Sequence, residues 1–226
     1  MNPVARFHGK TLNEAGIFQG FRIRHNQNRL IIYGDMFTRK LPALTNSKVS
    51  SGNEFGLRWE WRKKDRYYKV EWKQGLSWLE INANYPGEYG IGLTQSRQFR
   101  LIGKMPVFNG QSMKVQGIWQ HRDNNEYGTG INLRYNWKKD FITVALDWVT
   151  TKINSSNVRI YFWDVNLPGE LITKLYAHSG HFIALKAIYS NRGQFSAGLR
   201  IRILWRDLEF DGKPIITGAL YTEVAF

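Results

Sequence analysis

The residues most able to do chemistry are gathered on one run in the first third of the chain. Between positions 54 and 73, Arg58, Glu60, Arg62, Lys69, Glu71 and Lys73 alternate with aromatic and aliphatic residues. In an extended chain that alternation puts all six on one side. Such a row can pair cation with carboxylate across two strands, at about 0.2–1 kcal/mol per pair. It can also line a groove whose arginines and lysines hold an anionic sugar, and spacing leaves both open. Trp78, Trp119 and Trp163 stand off the regular apolar rows and are candidate stacking platforms for sugar rings. Trp119 is followed by Gln120 and His121, and histidine is the side chain whose ordinary pKa lies nearest neutrality.

Metal chemistry has less to build on. His178-Ser179-Gly180-His181 places two histidines around a turn-like Ser-Gly, with no third ligand at a fixed spacing. Asp123-Asn124-Asn125-Glu126 offers oxygen ligands of the kind calcium uses, but without EF-hand spacing, and reads as a polar loop. No metal and no cofactor are expected. There is no G-x-S-x-G elbow, Walker loop or dinucleotide fingerprint to support hydrolase or nucleotide chemistry.

The elements that must position these residues are strands. Phe55, Leu57, Trp59 and Trp61 alternate with Glu54, Gly56, Arg58, Glu60 and Arg62. After Lys63-Lys64-Asp65 the alternation resumes with Tyr68, Val70 and Trp72, so 54–73 reads as a hairpin. Residues 131–148 repeat the pattern around Lys138-Lys139-Asp140, and 195–205 form another alternating run after Asn191-Arg192-Gly193. Less regular strand candidates lie near 16–24, 29–38, 88–94, 98–104, 113–120, 158–164, 171–177, 182–190 and 214–225, while 39–53 reads as irregular. Trp59, Trp61, Trp72, Trp137, Trp148 and Trp205 fall on the apolar rows and are expected in a core, or against lipid if the rows face a membrane.

Nothing divides the 226 residues, and residues 1–226 are expected to form a single all-β domain. There are no cysteines, which excludes disulfides and thiolate metal sites. Lysine and arginine number 32 against 18 acidic residues, a formal charge of +14, and this favours polyanionic partners. No window approaches the roughly 20 apolar residues of a membrane-spanning helix. The N-terminal MNPVARFHGKTLNEAG lacks the apolar stretch of a secretory signal. Two architectures fit the alternation: an antiparallel two-sheet sandwich with its apolar faces inward, or a transmembrane β-barrel with them toward lipid. The sandwich is expected; Phe226 points the other way, since outer-membrane barrels commonly end on an aromatic residue.

Residues 51–72 (SGNEFGLRWEWRKKDRYYKVEW), with Lys69, Glu71 and Trp72 in place of an Arg-x-Glu-Leu strand, resemble a segment of the jelly-roll polysaccharide lyases, the heparin-lyase-like and alginate-lyase-like group. Glu88-Tyr89, Trp119-Gln120-His121 and Phe210-Asp211-Gly212-Lys213 extend the resemblance. It implies a concanavalin-like jelly roll acting on uronate-containing glycans by β-elimination. On that resemblance, Arg58, Lys69 or Gln120 would neutralise the carboxylate, Trp119 would contact the sugar, His121 would act as base, and Tyr221 or Tyr189 would protonate the leaving oxygen. The motifs are eroded: Gln120 and His121 are adjacent where the family has Gln-x-His, so they project from opposite faces, and LYTEVAF carries neither the lysine nor the glycine the family sets beside its tyrosine.

The leading expectation is therefore recognition of acidic polysaccharide, with lyase activity in question, by an extracellular or virion-associated protein. The alternatives are a non-catalytic structural or virion protein that self-assembles on the same fold, and an outer-membrane pore for anionic solutes. Nucleic-acid binding rests on charge alone.

Overall fold

The computed structural model describes residues 14–39, 50–82, 89–123, 125–155, 158–163, 173–191, 195–206, 208 and 212–224. Every regular element among them is a strand: β1 (Glu14–His25), β2 (Asn28–Arg39), β3 (Ser50–Lys63), β4 (Arg66–Asn82), β5 (Tyr89–Pro106), β6 (Gln111–Arg122), β7 (Glu126–Lys139), β8 (Ile142–Ile153), β9 (Ile160–Trp163), β10 (Thr173–Tyr176), β11 (Gly180–Asn191), β12 (Phe195–Trp205) and β13 (Ile215–Val224). The expected all-β, antiparallel class is what the chain adopts. Eleven strands form one sheet in the order β1-β2-β3-β4-β5-β6-β7-β8-β11-β12-β13, and β9 and β10 form a separate pair. Neighbours in sequence are thus neighbours in space, in an up-and-down meander interrupted once. Both hairpins anticipated from alternation are present, with Trp59 opposite Val70 and Leu133 opposite Trp148. The two candidates 88–94 and 98–104 are halves of β5, and the run expected to be irregular gives Arg39 to β2 and Ser50–Asn53 to β3.

Tight turns recur at one end of the sheet, at 26–27, 64–65, 107–110 and 140–141. Asn26, Lys64 and Asp140 take positive φ of 50°, 48° and 47° there, the left-handed geometry that lets a two-residue turn follow the twist of its strands. Strands that adjoin at the opposite end are mostly farther apart in sequence: β2 ends at Arg39 and β3 begins at Ser50, β4 ends at Asn82 and β5 begins at Tyr89, and β9 and β10 intervene between β8 and β11, whereas β6 and β7 are close, at Arg122 and Glu126.

The two faces of the sheet differ in burial, the polar rows being the more covered and the apolar rows the more exposed. On β7, Gly128, Gly130 and Asn132 are buried while Tyr127, Ile131 and Tyr135 are exposed; on β8, Ala145, Asp147, Val149 and Thr151 are buried while Ile142, Leu146 and Trp148 are exposed. The same parity runs through Phe55, Leu57 and Trp59 on β3, Phe99 and Leu101 on β5, and Leu199 and Ile201 on β12, all exposed. Among the tryptophans expected in a core, Trp59 and Trp148 are 38% and 43% exposed, and Trp61, Trp72, Trp137 and Trp205 are half-buried. These apolar rows form the more exposed face of the described strands. Period two fixes that two faces differ, but not which of them meets the protein interior.

Glu60, Glu71, Gln116, Asn132, Asp147 and Arg200 make the inner face, and all are buried. The second layer among the described residues is the short β9–β10 pair, so the sheet must bend around its own polar face to cover it. It does not close into a barrel: β1 and β13 each pair on one side only. The apolar core is small and lies where β9 and β10 dock on that inner face. Ile160, Phe162 and Tyr176 pack there with Ile118, Val149, Phe182 and Ala184. Phe162 and Phe182 both meet Tyr176 edge-on, at 5.8 and 5.9 Å between ring centres. β7 makes room with glycines, since a Cβ on Gly130 would stand 2.8 Å from the Phe162 ring and one on Gly128 2.7 Å from Val158.

Candidate functional site

The chemistry available to this chain is concentrated on the inner face of β3 to β8, where alternate residues of each strand present polar groups to one space. Arg58 of β3 lies opposite Glu71 of β4, and Glu60 opposite Lys69. The Arg58 Nε donates to Glu71 Oε1 at 2.9 Å, and its terminal nitrogen reaches the same oxygen. Lys69 Nζ stands 2.9 Å from the other oxygen, Oε2. Glu60 is shared by Arg29 and Arg58. At the edge of the group Glu54 accepts from the Tyr33 hydroxyl at 2.6 Å and from Lys73 at 3.4 Å. Tyr33 reaches inward because β3 has Gly56 beneath its ring, where a Cβ would lie 2.2 Å from the aromatic carbons.

A second cluster lies on β7 and β8. Asp147 is wholly buried; its Oδ2 accepts from Arg134 at 2.6 Å and its Oδ1 from the Asn132 amide. Between the clusters, β5 and β6 bring Arg100, Lys114 and Gln116 to the same face, with Lys114 opposite Arg134 and Gln116 opposite Asn132. Gln116 is 0% exposed and neither of its amide heteroatoms has a partner among the described residues. Gln120 has an unpartnered buried Oε1 on the same face. Farther along, Lys186, Arg200 and Arg202 continue the basic character onto β11 and β12. The arrangement is a polar surface on which several partly covered cations face one space.

The residues nominated from the sequence divide between the two faces. Arg58, Lys69 and Gln120 share the inner face, as does Tyr221 on the terminal strand β13, where its hydroxyl donates to Glu223. His121 is on the outer face, stacked on Trp119 with ring centres 5.9 Å apart. Tyr189 is also outside, beside Phe141 at 6.2 Å. The nominated base His121 and the nominated carboxylate binders are therefore on opposite faces, and the adjacency of Gln120 and His121 already requires that separation. The side chains of Trp78 and Trp163, together with Glu88, Phe210, Asp211 and Phe226, lie outside the described residues.

The loop and turn candidates have structural partners. His181 is bonded through Nδ1 to Thr150 Oγ1 at 2.9 Å and through Nε2 to the Leu208 carbonyl at 3.0 Å, while the His178 carbonyl accepts from Thr151. Asp123 accepts from the Gln95 amide, and Glu126 from Ser155 at 2.9 Å. Arg100, Lys114, Gln116 and the Asn132–Arg134–Asp147 group are functional candidates that the sequence reading did not single out. The signal for them is the shared parity of polar residues across β5 to β8, which emerges only once the strand register is known. No protein-family model matches the chain, and no curated protein matches it in sequence.

Proposed function

We propose that the chain forms a wall across a lipid bilayer, its apolar face against acyl chains and its basic polar face lining a passage for anionic solutes. The observation that carries this reading is the inversion of burial: charged and amide side chains are covered while rows of leucine, isoleucine and aromatic residues are exposed on strand after strand. In water that outer face would be an apolar patch far larger than the few hundred Å² soluble monomers expose. Against lipid it is the expected surface.

Three further features support it. Strands of 10–18 residues in the sheet match or exceed the roughly 9–11 needed to span the apolar layer when tilted. Short turns at one end and mostly longer connections at the other are the ordinary arrangement of membrane β-structures. The excess of 14 positive charges, much of it placed inward, gives the passage its sign. Lipid does not tolerate an open sheet edge, so the reading requires β1 and β13 to find partners in the bilayer. Eleven alternating strands leave those two running in the same direction, so a seam between them is parallel.

Uronate-containing oligosaccharides belong to the anionic solutes such a face would accept. The β-elimination reading gains no comparable support, because the nominated base and the nominated carboxylate binders are on opposite faces. The test is the reversal potential of the protein in planar bilayers under a tenfold salt gradient. Anion selectivity is expected; an absence of conductance, or selectivity for cations, overturns the proposal.

A further inference from the structure

We infer that Arg100, Lys114 and Gln116 form an oxyanion-binding site on the inner face, suited to a phosphate or carboxylate group; it rests on the reading of that face as a passage for anions. The first observation is an imbalance of charge. Each carboxylate around these residues is already engaged: Glu71 by Arg58 and Lys69, Glu60 by Arg29 and Arg58, and Asp147 by Arg134 and Asn132. Glu71 is opposite Arg100 in register, yet its oxygens are held by the other two cations. Among the described residues, Arg100 and Lys114 make no ion pair. Two partly covered cations are thus left over in a region whose acids are spent.

The second observation is independent of charge. Gln116 is fully buried with both amide atoms lacking a protein partner, and the Arg100 Nε is buried and unpartnered as well. Buried amides in folded proteins are almost always hydrogen-bonded, so this one is placed for a ligand or water. Lys114 precedes Gln116 by two residues on the same face of β6, about 7 Å along the strand. Arg100 lies diagonally across on β5, about 7–8 Å away. Both side chains are long enough to converge over the amide. A guanidinium that offers paired donors, an ammonium and a neutral NH₂ together match an oxyanion better than a solute with a single charged atom.

The experiment is isothermal titration of the full chain, refolded in detergent, with inorganic phosphate and separately with glucuronate. Saturable one-site binding of at least one probe is expected. Arg100→Gln and Lys114→Gln should each weaken it tenfold or more, while Lys139→Gln, an exposed residue beside the β7–β8 turn, should leave it unchanged. Gln116→Glu places a carboxylate between the two cations; it should abolish binding while the protein refolds at least as well as the parent, which separates loss of the site from loss of the fold. No saturable binding of either probe, equal binding by the Lys114 and Lys139 variants, or binding that survives Gln116→Glu overturns the site. Because no bilayer is involved, the two readings fail separately. Binding without conductance supports the site and sinks the passage, and conductance without binding does the reverse.

Discussion

At Asp147 a carboxylate with no exposure to solvent accepts hydrogen bonds from two neighbours on the adjoining strand, the Asn132 amide and the Arg134 guanidinium. Removing it leaves buried donors facing no acceptor, which is where truncation of an ion pair is most costly. Asp147→Ala should destabilise the protein by about 3 kcal/mol in urea unfolding, whereas Arg62→Ala, exposed at the strand end, should change it by less than about 0.5 kcal/mol. A turn residue gives the opposite sign. Lys64 holds a φ of 48° that asparagine adopts more readily than lysine, so Lys64→Asn should stabilise by about 0.5 kcal/mol. The same unfolding measurement reads both, and an equal loss at Asp147 and Arg62 would contradict the assignment of the inner face.

For the β9–β10 pair, the fit depends on glycines beneath it. Gly130→Val drives a side chain into the Phe162 ring, and the overpacking should cost about 1–3 kcal/mol and expose β9 and β10 to limited proteolysis. Gly117, with nothing within 4 Å of an added Cβ, should accept alanine with no change in cleavage. The strands themselves were legible in advance because Phe55 to Trp61, Ile131 to Trp137 and Phe195 to Trp205 alternate without interruption. The hairpins at 54–73 and 131–148 were legible from their Lys-Lys-Asp turns. The polar site was not. Lys114 and Gln116 sit in a weakly patterned run, and what joins them to Arg100 and Asn132 is register, which depends on pairing between distant segments. Nor could alternation reveal which face is covered, because a membrane wall and a sandwich write the same period into the chain.

Across the whole molecule, a wall in a bilayer needs its outer face matched to lipid. Leu146 is 45% exposed in the middle of β8, among other outward apolar residues. Leu146→Arg should reduce stability in bilayers by about 2–4 kcal/mol, read from urea unfolding in vesicles; on a wetted surface the same change would be nearly silent. The edges should behave differently in the two media, with the amides of β1 and β13 exchanging fast in detergent-free buffer and slowly once the seam is formed in lipid. The central claim is tested most directly by the tryptophans themselves. Refolded into vesicles of brominated-chain lipid, the protein should lose most of its tryptophan fluorescence, because Trp59, Trp119 and Trp148 are on the outer face. A protein that stays folded and soluble in water without detergent, and whose emission is untouched by brominated lipid, would contradict the account.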